Sequence, residues 1–204
     1  MTSRLRSRAR APGNYFGLLV CWCASCFLAI AMWAPIVQSE TLMVKDRTTL
    51  DRLLDDLKAA GTATEAEAIT AQIWRRWFEV DNAQARQLMD QAQLARRAGA
   101  FDDALALLDR IVQLAPDYAE GWNQRATVLF MLRRDDESVA DIQRVLALEP
   151  RHFGALSGLG LIHLRARNWQ AALAALERAL AVHPFLSQRT LIPKLREHLK
   201  GQAL

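Results

Sequence analysis

Beyond Cys26 the chain has no cysteine; Cys21, Cys23 and Cys26 all fall inside one apolar stretch near the amino terminus. The rest of the protein therefore cannot be stapled by disulfides and must stand on packing alone. The C-x-C-x-x-C spacing offers no credible metal site, because those thiols would lie in a removed leader or in lipid. Histidine is also scarce. His152, His163, His183 and His198 include no H-x-x-x-H pair and no H-E-x-x-H sequence, which excludes a helical zinc motif. There is no G-x-S-x-G, no Walker pattern and no dinucleotide-type glycine run. Glycines are few and are expected at helix ends or at small-residue positions. Acidic pairs such as Asp102-Asp103 and Asp135-Asp136-Glu137 stand where helices should begin, where the helix dipole favours them. No catalytic residue, metal or cofactor is indicated, and an enzyme would need a dyad assembled across distant segments.

A surplus of one charge sign is missing too, once its source is located. The chain carries 26 Lys plus Arg against 22 Asp plus Glu. The excess is Arg4, Arg6, Arg8 and Arg10, since residues 1–39 contain no acid. From residue 40 onward bases and acids balance and are interspersed, which argues against a nucleic-acid partner. Basic residues followed by the uncharged stretch 11–39 have the layout of an export signal. Small residues allow cleavage after Ala29-Ile30-Ala31 or after Val37-Gln38-Ser39; without cleavage the segment is long enough for a membrane anchor. Residues 1–39 are thus expected to be a signal peptide or anchor, with membrane contact through 11–39 if uncut. The arginines orient either version so that everything after residue 40 lies outside the cytoplasmic membrane, in the periplasm or anchored facing it.

What is present in abundance is a repeat. Pro116, Pro150 and Pro184 are spaced by 34 residues, and each closes an apolar run: Ile111–Ala115, Val145–Glu149 and Ala179–His183. Proline stops a helix at a fixed place, so equal stops imply copies of one unit that bury their apolar faces on each other. Counted from Ala85, Ala119 and Phe153, the eighth position is small (Ala92, Ala126, Gly160), as is the twentieth (Ala104, Ser138, Ala172). Large apolar residues hold the fourth (Leu88, Trp122, Leu156) and the twenty-fourth (Leu108, Ile142, Leu176). On these columns residues 85–186 resemble the tetratricopeptide repeat, a helix-turn-helix unit. The eleventh position, often tyrosine in that family, carries Ala95, Leu129 and His163 instead.

The resemblance implies an all-α fold, a right-handed α-solenoid of antiparallel helix pairs, with three repeats over 81–186. It also implies that the first helix of each pair lines a concave groove through its fifth, ninth and twelfth positions. Those are Met89, Gln93 and Arg96, then Asn123, Thr127 and Phe130, then Ser157, Leu161 and Leu164. Such a groove would be cationic at one end and apolar at the other. Some family members clamp a peptide carboxylate with basic groove residues, but the matching positions include Met89, Gln93, Gly154 and Gly158, so that clamp is missing. Arg110, Arg144 and Arg178 recur once per repeat and are expected to be solvated, paired with acids such as Asp109 and Glu177.

The flanks read as helices. Residues 40–48 are a linker. A hairpin over 49–80 follows, with Leu50, Leu53, Leu54 and Leu57 on one helix face, Gly61 as its stop, and a Thr64/Glu67 capping box opening the second helix. Trp74, Trp77 and Phe78 on that helix are expected to pack on the first repeat. Asp81 and Asp117 are the expected starts of the first two repeats. Residues 187–204 form a capping helix and tail, with Leu191, Leu195 and Leu199 on one face and Pro193 in its first turn. The function implied is a protein-protein interaction scaffold whose partner is a protein or peptide, identity open. Alternatives are an accessory or catalytic factor in envelope polysaccharide processing, or a self-assembling module, a possible homo-oligomer.

Overall fold

A computed structural model describes residues 48–202. The expected leader or anchor, linker residues 40–47, the cysteines and the tail residues 203–204 lie outside the described residues. The architecture is all-α: α1 (48–59), α2 (Ala63–Phe78), α3 (Ala83–Arg97), α4 (Phe101–Leu114), α5 (Ala119–Met131), α6 (Asp135–Leu148), α7 (Phe153–Arg165), α8 (Trp169–Val182) and α9 (Ile192–Gln202). A short 3-10 turn, Ser187–Leu191, precedes α9. Helices α3/α4, α5/α6 and α7/α8 form three antiparallel pairs stacked in order.

The periodic prolines act as anticipated: α4, α6 and α8 end at Leu114, Leu148 and Val182, two residues before each proline. The turn inside each pair is also periodic. Gly99, Arg133 and Arg167 share one repeat position and all adopt the left-handed conformation, with φ of 76°, 64° and 56°. Only the first is the residue type that takes this conformation without a steric cost.

The small columns bring the paired helices together. Ala92, Ala104, Ala126, Ser138, Gly160 and Ala172 are all buried. A methyl on Gly160 would come within 2.5 Å of Leu176 Cδ2, so the closest approach in the third repeat needs glycine. Ser138 keeps its hydroxyl satisfied by donating to the Ala126 carbonyl at 2.7 Å, which lets a polar residue stand in this column. Arg125 binds the repeats to each other: it donates to Asp141 at 2.8 and 2.7 Å and to Asp109 at 2.9 Å. The hydrogen bond to Asp141 is the main cause that raises its pKa.

Helix caps differ from the sequence expectation in three places. Thr62, not Thr64, caps α2 by accepting from the Glu65 N–H, and Glu65 reaches back to the Gly61 N–H. Asn82, not Asp81, caps α3. The third start has no side-chain cap: Tyr118 precedes α5, and Glu120 turns inward. Two T-x-x-E readings overlap at 62–67, and only the path of the chain out of α1 chooses between them.

The amino-terminal hairpin α1/α2 corrects a larger expectation. Its tryptophans do not pack on the first repeat. Leu54, Leu57, Ala66, Ile73 and Trp77 form one core with Phe153, at the start of the third repeat, joined by Val182, Phe185 and Leu186 at its end. Phe78 alone of the aromatic cluster joins the first-repeat core. The hairpin has folded back over the stack. At the other terminus Ile192 and Leu195 of α9 cover Leu176, together with Leu164 and Leu173, and Pro193 occupies the first turn of α9.

Candidate functional site

The hairpin is held by residues that break the repeat pattern at its own equivalent positions. Tyr118 and His152 each stand just before the first helix of a repeat. The Tyr118 hydroxyl donates to the Phe78 carbonyl at 3.1 Å, fastening the end of α2. Burial chiefly, helped by the negative charges of Glu120 and Asp90, pushes that phenol above its ordinary range. His152 is 0% exposed. Its Nδ1 accepts the Ala155 N–H at 3.1 Å, acting as the cap of α7. The ring proton therefore sits on Nε2, which donates to Glu120 Oε2 at 3.1 Å. Glu120, 1% exposed, also accepts from Asn123 at 3.1 Å and Gln124 at 2.5 Å.

Trp77 stacks on the imidazole at 3.9 Å with the planes 12° apart. Trp74 meets His152 and Phe153 edge-on at 5.7 and 5.5 Å. Thr70 of α2 bonds His183 Nε2 at 3.1 Å, and desolvation holds the His183 pKa below its usual value. Arg151 closes the outer edge with ion pairs to Asp51 and Asp55 of α1.

Between this hairpin and the repeats a cleft of about 370 Å³ remains, within the size range of ligand sites. Its floor and one wall are α5 and α7; Thr70 and Trp74 of α2 make the other wall. Of the groove residues expected from the sequence, Asn123, Thr127, Phe130, Ser157 and Leu161 line it. The other four lie elsewhere. Met89 is buried in the first-repeat core. Gln93 accepts from Arg97 at 3.1 Å, and Arg96 is half-buried, its Nε without a hydrogen-bond partner. Leu164 faces α9.

Sequence reasoning did not place Thr70 or Trp74 at the groove, and it named Gly154 and Gly158 only as clamp positions without a basic residue. One signal for the last two was available: they stand inside a helix, four residues apart, away from both small columns. A methyl on Gly154 would come within 2.9 Å of Trp74 Cη2, so the indole lies directly on the α7 backbone. A methyl on Gly158 would meet only Ile142, at an ordinary 3.6 Å.

The periodic arginines Arg110, Arg144 and Arg178 are exposed as expected, but the acids named beside them pair with other arginines. Arg144 donates to the Pro116 carbonyl at 3.1 Å, Asp109 pairs with Arg125, and Glu177 pairs with Arg196. Among the described residues no group of three or more His, Cys, Asp or Glu could hold a metal ion. No helix among them is long and apolar enough to cross a membrane.

A family model described as tetratricopeptide repeat matches residues 89–147 and 136–186. A TPR repeat-containing protein of Rhizobium etli is 38% identical over 149 residues, which is 73% of this chain and 73% of that protein. The chain belongs to the tetratricopeptide repeat family. The Hsp70-Hsp90 organizing protein of Triticum aestivum is 30% identical over 87 residues, 43% of this chain and only 15% of that protein. Among solved structures, the first TPR of Spaghetti bound to the HSP90 peptide SRMEEVD superposes with a TM-score of 0.56 at 20% identity, covering 59% of this chain and 97% of that one. The crystal structure of MamA gives 0.54 at 20%, covering 66% and 84%. At these identities the structures establish a shared fold, the tetratricopeptide solenoid.

Proposed function

We propose that this tetratricopeptide protein is a non-enzymatic scaffold on the outer side of the cytoplasmic membrane that holds a segment of a partner protein in its concave cleft. The observation that carries the reading is the open cleft between α5 and α7, built from first helices of adjacent repeats and lined by five of the nine groove residues expected from the sequence. The relatives support it: the first TPR of Spaghetti is bound to a peptide, and the TPR2B domain of yeast Sti1 forms a complex with pHsp70. The location rests on Arg4, Arg6, Arg8 and Arg10 followed by the uncharged stretch 11–39.

The test is crosslinking in the native cell through a tag at the carboxyl end, with the joined residues mapped by mass spectrometry. The expected result is one envelope protein attached through α5 and α7, lost in Leu161→Arg with helicity retained. Capture unchanged in that variant moves the interface to another face, and crosslinks only between copies of this chain favour a self-assembling module. Protease digestion of spheroplasts checks the location: residues after 40 should be cut without lysis.

A further inference from the structure

We infer that the cleft accepts an uncharged peptide segment, seating one bulky apolar side chain between Trp74, Phe130 and Leu161. This rests on the reading of the cleft as the partner site and specifies the partner's chemistry.

The cleft lining contains no Asp, Glu, Lys or Arg. A charged side chain entering it would lose its hydration and meet no counter-charge, which is strongly unfavourable. The polar lining groups are almost all engaged already. Thr70 is bonded to His183, Asn123 to Glu120, Thr127 to the Asn123 carbonyl and Ser138 to the Ala126 carbonyl. Gln188 accepts from the Ser187 hydroxyl at 3.2 Å, and the Ser157 Oγ is shielded from solvent and so presents nothing to the cleft. A charged side chain would therefore find little in the lining to replace its water, whereas an apolar one loses nothing by entering.

The steric features agree. Gly154 lets the Trp74 indole lie against α7 as a wall, and Gly158 leaves open the volume that a side chain at that position would fill. Both glycines sit in α7, where glycine is disfavoured relative to alanine. Gly154 admits the Trp74 wall, and Gly158, with nothing nearer than Ile142, leaves the cleft beside it open. The result is an uncharged slot with Trp74 and Phe130 in its lining, suited to an apolar side chain.

The full-length chain is irradiated with a capped heptapeptide of Gly, Ser and Ala carrying a central p-benzoylphenylalanine, and in parallel with the same peptide bearing flanking glutamates and a free carboxyl end. The expected result is labelling of Met131, at the mouth of the cleft, and of neighbouring α5 and α7 residues by the neutral probe alone. In Gly158→Leu the yield falls by about tenfold or more, because the seat for an apolar side chain is filled. Gly158→Ala and Gly158→Leu both keep or raise the thermal midpoint, so loss of labelling is not loss of fold. Equal or stronger labelling of the cleft by the acidic probe overturns the uncharged class and leaves the scaffold reading standing. No labelling of the cleft by either probe overturns both; labelling that Gly158→Leu does not change overturns the apolar seat and leaves the scaffold reading standing.

Discussion

The repeats and the hairpin are both pairs of antiparallel helices, yet they are stabilised on different terms. In the repeats the same columns recur, so each interface is a copy of the next and a small residue meets a large one at every level. Nothing recurs where the hairpin docks. Tyr118, Glu120, His152, Phe153 and His183 each make a contact that no equivalent position in another repeat makes. A solenoid thus carries its generic stability in the columns and its individuality in the positions that depart from them. The same departure shapes the cleft, because the hairpin supplies one of its walls.

The sharpest way to break the comparison is Trp77→Ala. It removes the ring stacked on His152 and empties the hairpin core, and should cost about 3–5 kcal/mol. Hydrogen exchange should accelerate throughout α1 and α2 while α3–α6 stay protected; uniform acceleration would mean that hairpin and repeats unfold as one unit. His152→Leu should cost about 2–4 kcal/mol, since it takes a donor from buried Glu120, removes the α7 cap and loses the ring stack. Replacing Glu120 by Gln in that background should recover part of the loss in urea denaturation.

On the repeat side, Gly160→Ala forces a methyl against Leu176 and should cost about 1–3 kcal/mol. Its effect belongs to α7 and α8, so exchange should rise there first. Arg167→Gly and Arg133→Gly relieve left-handed strain in the two turns that lack glycine, and each should add up to about 1 kcal/mol, read as a raised thermal midpoint. No change would mean that the turn pays no penalty for arginine.

The smallest effect is a slope with pH. His183 is held neutral by desolvation, so its folded pKa lies below the unfolded value of about 6.5. The unfolded chain binds the proton more readily, and stability is therefore full above that value and declines as pH falls through it toward the folded pKa. His183 faces Thr70, and Glu67 of α2 borders the same recess. His183→Gln should flatten the slope between pH 7 and 5 without abolishing hairpin docking.

Much of this was legible in the residues. Proline spacing located the three helix ends, and the small and large columns identified the packing of each pair. Those signals are local or periodic, so they survive without knowledge of the surroundings. The caps were readable only to within a residue or two, because Thr62 and Thr64, or Asn82 and Asp81, offer the same chemistry and the path of the chain selects one. Five of nine groove residues reached the cleft. Met89 and Leu164 did not, because burial at those positions depends on what the first-repeat core and α9 place against them.

By itself, the sequence determined the period, the helix pairs, the closeness of their approach and the absence of cysteine beyond residue 26. These follow from steric rules that act within 34 residues. Only the tertiary structure decided where the hairpin goes, that Glu120 is an interior anchor, and that Trp74 lies on Gly154 at the side of an uncharged cleft. The reason is range: an apolar helix face specifies that it will be buried, but its partner is whichever distant surface offers matching shape and hydrogen bonds, and here that surface begins at His152.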